Sequence, residues 1–324
     1  MVAPILKYTN ALYSGYSYIY SAITRNQMTG QIPIAIGIEL TNHCNLNCIE
    51  CYTGSGMMKR EKGFMSLDLF DKIINEIGPS LFNINLYFQG ESMLHPKFFT
   101  FLKKAKGIHS TVSTNGHFID RESAEKILKS KLKKLIISLD GMDQETYSGY
   151  RVNGNLATVL SGLQHIAEAR KKISSRLKIE IQFIVNRLNE SQIGEARRFC
   201  SESGFTLKLK SMQVINSYSH SLWIPSNDNF SRYRKHNEKY EIKNELPNRC
   251  ARLWFNPVVT WDGKVLPCCF DKDASHIMGD LNEDTFKDIW EGPRYRLFRR
   301  SILTDRDSID ICTNCTSGIR NVSI

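Results

Sequence analysis

The chain has 324 residues, 41% of them hydrophobic, and carries 43 Lys and Arg against 33 Asp and Glu, a formal charge of +10. Those figures allow a full core and suit one large α/β unit plus a smaller module, and no internal repeat or low-complexity tract is visible. No apolar run approaches the roughly 20 residues that cross a bilayer, and residues 1–24 lack the basic-then-apolar order of an export signal, so a soluble cytoplasmic protein is expected.

Residues 1–33 read as a lead-in helix, with Ile5, Leu12, Tyr16, Ile19 and Ile23 near one face. This tyrosine-rich stripe is expected to pack against the domain that follows; contact with a membrane surface is the alternative. After Pro33, the β-branched run 34–40 reads as a buried parallel strand. It leads into Cys44-Asn45-Leu46-Asn47-Cys48-Ile49-Glu50-Cys51, a CxxxCxxC loop. Three soft thiolates on one short loop suit a tetrahedral metal or an iron–sulfur cluster, and they leave one coordination position open. A structural zinc site would use a nearby fourth ligand, and His43, the one candidate, abuts Cys44 and points elsewhere.

Strands and helices then alternate. Ser66 caps a helix carrying Leu69, Phe70, Ile73, Ile74 and Ile77; a strand follows at 82–88 and a helix at 96–106. A short strand ends at Ser113, a helix spans 121–129, and a strand spans 134–139. Helix 158–172, strand 177–185, helix 192–203 and strand 206–210 complete the series. Six strands alternating with helices indicate a parallel sheet with right-handed crossovers, and the polar strand ends favour a partial α/β barrel. Those ends, where chemistry belongs in such folds, are Gln89-Gly90-Glu91, Ser113-Thr114-Asn115-Gly116, Ser138-Leu139-Asp140-Gly141 and Asn186. Each alone could be turn chemistry. Gly90 would let backbone groups approach a ligand closely.

Beyond Lys210 the alternation stops, and 213–249 reads as a polar connector. A second cysteine set follows: Cys250, Cys268, Cys269, Cys312 and Cys315. A hairpin is expected between Val258 and Leu266, turning at Asp262-Gly263, with helices near 285–290 and 294–303. Cys250, Cys268, Cys312 and Cys315 could close a cluster completely, and zinc satisfies the same geometry. Cys200 reads as core, and the histidines form no ligand pair at helical spacing. The basic clumps at 59–60, 103–106, 126–134, 232–239 and 294–300 come without interleaved aromatics or a recognition helix, so nucleic acid is not expected. An acidic protein or an anionic substrate stays open as a partner.

The cysteine loop, Gly90-Glu91 after the second strand and the Ser138-Leu139-Asp140-Gly141 strand end together resemble a radical S-adenosylmethionine (SAM) enzyme over nearly the whole chain. The resemblance implies an α/β fold, a partial (β/α)6 TIM-like barrel, in which Cys44, Cys48 and Cys51 hold a [4Fe-4S] cluster whose fourth iron chelates SAM. It also implies that Gly90 and Glu91 hold the methionine amino group and that Ser138 and Arg151 reach the ribose or carboxylate. Gln89 and Ser113 complete the expected cofactor-binding set. Two departures stand out: Gln89 replaces the usual first glycine, and Glu50 stands where an aromatic commonly precedes the third cysteine, with Tyr52 as the substitute adenine contact. The tail resembles a SPASM or twitch module through the glycine-to-cysteine spacing of Gly263 and Cys268, the Trp261-Asp262-Gly263 turn and the closing CxxC. That resemblance implies an auxiliary [4Fe-4S] cluster on Cys250, Cys268, Cys312 and Cys315, in the single-cluster form found in an aminocyclitol dehydrogenase. The expected organisation is lead-in helix 1–33, barrel 34–212, connector 213–249 and cluster module 250–324.

By the same resemblance the protein is an oxidoreductase that reductively cleaves SAM to a 5′-deoxyadenosyl radical, which removes a hydrogen atom from an unactivated C–H bond. The expected substrate is a polar small molecule of the carbohydrate or cyclitol kind, anionic if the basic balance serves it. The auxiliary cluster would accept an electron, and a flavodoxin or ferredoxin would donate the first one. Too little chain precedes the first barrel strand for a fused peptide-recognition domain. A peptide maturase and an epimerase, the latter using Cys269 as hydrogen donor, are the enzymatic alternatives. An iron–sulfur electron carrier or zinc-structured binding protein is the non-enzymatic one, and it would need no adenosine-binding rim. No catalytic acid or base is assigned.

Overall fold

Helix α1 (Val2–Thr24) opens the computed structural model, which describes residues 2–30, 32–215, 220–236, 239–243 and 245–315. Two compact units share the chain: the first takes in residues 1–43, 59–110 and the stretch from Leu246, the second residues 44–58 and 111–245. The early elements of the first unit are β1 (Ala35–Ile38), α2 (Leu67–Ile77), β2 (Asn83–Asn85) and α3 (Phe98–Lys104). Ile36 and Ile38 are fully buried, as a doubly covered strand requires. Ser66 caps α2 by accepting the Leu69 N–H at 3.0 Å, and the helix buries Leu69, Phe70, Ile73 and Ile77.

Strand β2 is shorter than the 82–88 expected. The Ser92 hydroxyl donates to the Leu86 carbonyl at 2.7 Å, so a local loop takes up backbone that a longer strand would pair. Helix α1 has the reverse of its expected orientation. Asn10, Ser14, Ser17 and Ser21 are buried, whereas Ile5, Leu12, Tyr16, Ile19 and Ile23 face solvent, Leu12 and Ile23 with 76% and 75% of their surface exposed. The polar face turns inward because it satisfies the following loop: Asn10 both donates to the Ile32 carbonyl and accepts its N–H, and Ser21 accepts the Met28 N–H.

The second unit holds β3 (His109–Thr114), whose first two residues fall in the first unit, then α4 (Arg121–Lys129), β4 (Lys134–Ser138), α5 (Gln144–Tyr150), α6 (Leu156–Arg170), β5 (Lys178–Val185), α7 (Ile193–Ser203) and β6 (Thr206–Ser211). Its four strands pair in parallel and in chain order, with Val112 opposite Leu135, Ile137 opposite Ile181, and Phe183 opposite Leu209. Helix α5 was not foreseen; Asp143 caps it through the Thr146 N–H at 2.8 Å. Residues 213–249 contribute α8 (His220–Trp223) and the antiparallel pair β7 (Tyr233–His236) and β8 (Lys239–Ile242). Val214, Trp223, Ile224 and Tyr233 from this stretch join a buried cluster with Leu46, Cys48 and Tyr150.

The chain then returns to the first unit with α9 (Arg252–Phe255), β9 (Val258–Val259), β10 (Lys264–Leu266), β11 (Gly279–Asp280), α10 (Phe286–Trp290), α11 (Pro293–Thr304) and α12 (Asp310–Thr313). Strands β9 and β10 form the expected hairpin, with Gly263 at φ +92°. On the other edge of β9 comes an unforeseen pairing: β1 lies parallel to β9 on one side and to β2 on the other. Among the described residues no helix is long and apolar enough to cross a membrane.

Candidate metal centres

In the second unit the cysteine loop is tied down at its backbone. Asn47 and Ile49 donate N–H groups to the carbonyls of Val152 and Tyr150 at 3.0 and 3.4 Å, and Leu46 enters the buried cluster. Gly54 was missed by sequence reasoning: a Cβ there would fall 2.5 Å from the Cys48 nitrogen, so only glycine lets the chain fold back over the loop. The Cys44 Sγ accepts the Leu46 N–H at 3.5 Å and lies 4.0 Å from Asn115 Nδ2, which also donates to Asn45 Oδ1 at 2.7 Å. Arg151 Nη1 approaches the Cys48 Sγ at 3.8 Å.

That guanidinium is itself held. Its Nε and Nη2 lie 2.7 and 2.5 Å from Asp140 Oδ2, and Asp140 Oδ1 accepts the Ile184 N–H at 2.6 Å. Burial alone would lower the Arg151 pKa, but Asp140 and then Cys48 raise it well above the ordinary arginine range, so the cation persists. Burial pushes the Cys48 thiol up to about 12 against the pull of Arg151. A thiol held so high becomes a ligand only by releasing its proton as the metal–sulfur bond forms. Glu50, at the position where an aromatic was expected, is buried and accepts the Ile215 N–H at 2.7 Å, so it closes the loop against the segment after β6. Ser113 lies one residue from the end of β3, and Ser138 ends β4, buried.

Gln89, Gly90 and Glu91 belong to the first unit. The Glu91 N–H donates to the carbonyl of His43, the residue before Cys44, at 2.8 Å, and Glu91 Oε1 accepts the Met93 N–H at 3.0 Å. Gly90 sits at φ +73°, and a Cβ would meet the Thr41 carbonyl oxygen at 2.6 Å. Its freedom therefore serves the close approach of the chain's own backbone. His43 stacks on Phe64 with centroids 4.7 Å apart.

Beside them Glu39 is 0% exposed, and Arg60 grips its carboxylate with Nη1 and Nη2 at 2.8 and 2.7 Å. The Trp261 N–H reaches Glu39 Oε2 at 3.2 Å, and the Trp261 indole donates to the Glu61 carbonyl at 3.2 Å. Gly63 abuts the same indole closely enough that a Cβ would clash at 2.4 Å. The Trp-Asp-Gly turn is thus latched to residues 60–63. Burial pushes the Glu39 carboxyl up, with the Arg60 hydrogen bonds opposing. The sequence signal for this latch was an acid inside an apolar strand.

In the tail, Cys250, Cys268, Cys312 and Cys315 line one cavity together with Arg252 and Arg306. Cys269 is not part of that lining; its Sγ lies 3.4 Å from Arg252 Nη1. Burial raises the Cys268 thiol well above its ordinary value and brings Cys312 to about 11. Arg306 is 1% exposed, donates through Nη1 to the Arg249 carbonyl at 2.9 Å and holds the Cys312 thiol down, and its buried Nε and Nη2 find no oxygen or nitrogen acceptor among the described residues. A buried guanidinium turned toward four thiols, one of which it hydrogen-bonds, fits an anionic iron–sulfur group. Among the described residues no three His, Cys, Asp or Glu side chains converge on a single ion, and a cubane asks for no such convergence because each thiolate takes its own iron.

The family model described as "Radical SAM superfamily" matches residues 38–200, and SPASM, described as an iron-sulfur cluster-binding domain, matches residues 250–316. The chain is 24% identical to the tungsten-containing aldehyde ferredoxin oxidoreductase cofactor-modifying protein of Pyrococcus furiosus, over 86% of each chain. It is 31% identical to the mycofactocin maturase MftC of Mycobacterium tuberculosis over 55% of this chain, which spans 44% of that protein. Among solved structures, Streptococcus suis SuiB bound to S-adenosylmethionine superposes with TM-score 0.66 at 15% identity, covering 90% of this chain and 74% of that one. BtrN in complex with AdoMet and 2-DOIA gives TM-score 0.52 at 18% identity, covering 89% and 94%. These likenesses show the fold, an α/β partial barrel with a C-terminal module.

Proposed function

Because the chain belongs to the radical SAM superfamily, and so is an enzyme using SAM and [4Fe-4S] clusters, we propose that it oxidises a polar small molecule of the carbohydrate or cyclitol kind. In this reading Cys44, Cys48 and Cys51 hold the SAM-binding cluster, and Gln89, Gly90, Glu91, Ser113, Ser138 and Arg151 surround the cofactor. Asn115 and Arg151 direct N–H groups at Cys44 and Cys48 and orient those thiolates. Cys250, Cys268, Cys312 and Cys315 hold the auxiliary cluster, with Arg306 offering it two buried N–H donors. The bound groups supply the redox chemistry: a 5′-deoxyadenosyl radical as hydrogen-atom acceptor, and a second cluster as acceptor of the electron left on the substrate.

The observation that carries the oxidative reading is the four-thiol cavity. With four protein ligands no iron is left open for substrate, so such a centre serves as an electron sink and not as a binding site. Peptide maturation is the second reading, favoured by the names of relatives such as MftC and by SuiB, solved with a precursor peptide. Its electron donor would be a low-potential flavodoxin or ferredoxin in either case.

The test is turnover of a cyclitol and sugar panel with SAM and dithionite in deuterated buffer, by the wild type and by Cys269→Ala. The expected product is a ketone lacking solvent deuterium, formed equally by both proteins. Deuterium at an inverted carbon, lost in Cys269→Ala, would make the enzyme an epimerase. Turnover of precursor peptides alone would make it a maturase.

A further inference from the structure

We infer that Asp140 is a positioning residue for the cluster of the cysteine loop, acting through Arg151, whose guanidinium it aims at Cys48. The inference rests on the assignment of Cys44, Cys48 and Cys51 to that cluster. Backbone and side chain divide the work. The Asn47 and Ile49 N–H groups reach the carbonyls of Val152 and Tyr150 at 3.0 and 3.4 Å. These two bonds bracket Cys48 in one segment and Arg151 in the other, so the backbone brings the two residues side by side. It does not aim the end of a long, rotamer-rich side chain.

Asp140 supplies the aim. Its Oδ2 takes Arg151 Nε and Nη2 at 2.7 and 2.5 Å, and Nη1 then stands 3.8 Å from the Cys48 Sγ. The guanidinium is a rigid plane, so holding one edge fixes where the other points. Asp140 is held in turn by the ends of two neighbouring strands. Its Oδ1 accepts the Ile184 N–H at 2.6 Å, and Asn189 Nδ2 donates to the carbonyls of both Asp140 and Ile184, at 3.0 and 2.9 Å. Asp140 and Asn189 are 0% exposed and Arg151 is 8% exposed. A neutral oxygen would satisfy the Ile184 N–H. A buried carboxyl group is a costly way to do so unless it is paired, and its pair is the cation at Cys48. A cationic N–H donor at a ligand sulfur favours the more negative, reduced cluster and so raises its potential.

The test is a reductive titration of the anaerobically reconstituted full chain, followed by EPR, for the wild type, Asp140→Ala, Arg151→Gln and the double variant. Cys48→Ala identifies the signal of the loop cluster by difference. Asp140→Ala and Arg151→Gln are each expected to lower that cluster's reduction equilibrium about tenfold, 59 mV for one electron. The double variant should fall no further than Arg151→Gln alone, because Asp140 acts through Arg151. An unchanged potential in Asp140→Ala overturns the inference. So does a raised one, the result of losing an anion while Arg151 stays in place, and so do additive falls. Should Asp140→Ala not retain its irons, Asp140→Asn takes its place: its carboxamide oxygen can serve only one of the two donor groups, a smaller fall is expected, and no fall overturns the inference. A Cys48→Ala spectrum identical to the wild type overturns instead the cluster assignment beneath it.

Discussion

Glu39 and Arg60 show how much a single residue can tie together. The carboxyl group is fully buried, and Arg60 answers both of its oxygens while the Trp261 amide answers one of them again. Removing one partner of such a pair leaves the other buried and unpaired, which costs about 3–5 kcal/mol. Arg60→Met should therefore destabilise the chain by about that much in denaturant unfolding, and Glu39→Leu/Arg60→Met together by much less. Additive losses would show that the two side chains act independently. At this scale the sequence was legible where residue type and spacing suffice. The cysteines are the case in point: three on one loop and four around one cavity were both readable. The partners of those cysteines were not, because Arg151 is 103 positions from Cys48 and a pair formed by folding leaves no local trace.

Among the elements, α4 was legible to the residue because both its ends are written locally. Asp120 accepts the Ser123 N–H at 2.7 Å, and Ser130 closes the helix. The Ser123 backbone hydrogen bond, and then its side chain, hold the Asp120 carboxyl below its ordinary value of 3.8. A folded pKa below the unfolded one adds stability that is present above the unfolded value and is lost as pH falls through the folded one. Asp120→Ala should accordingly cost about 1 kcal/mol at neutral pH. The difference should shrink toward zero below pH ~3.8, where wild type and variant are compared by denaturant titration. A gap that persists unchanged in acid would deny the carboxylate its role. Strand β2 and helix α1 resisted the same reading for opposite reasons. Ser92 diverts the backbone after Asn85, and α1 turns Ser14 and Ser21 inward because Ile32 and Met28 of the following loop take up their hydroxyls. Hydrophobic periodicity located the α1 stripe correctly but could not say which side of the helix faces the protein.

At the scale of the whole molecule, the alternation of strands and helices announced the α/β class, the polar strand ends a partial barrel, and the second cysteine set a C-terminal module. What sequence could not announce is that β9, some 220 residues downstream, pairs beside β1, so that the tail returns to the first unit. Long-range parallel pairing has no turn chemistry to mark it. The latch of Trp261 onto Glu39 follows from the same return, which places the Trp-Asp-Gly turn within the unit that carries Gly90 and Glu91. The central claim is that Cys44, Cys48 and Cys51 hold the cluster that cleaves SAM. The most direct measurement is 5′-deoxyadenosine formed from SAM and dithionite by the anaerobically reconstituted chain, beside Cys48→Ala. The wild type is expected to form it and Cys48→Ala to form none above background; equal amounts from both proteins would contradict the account.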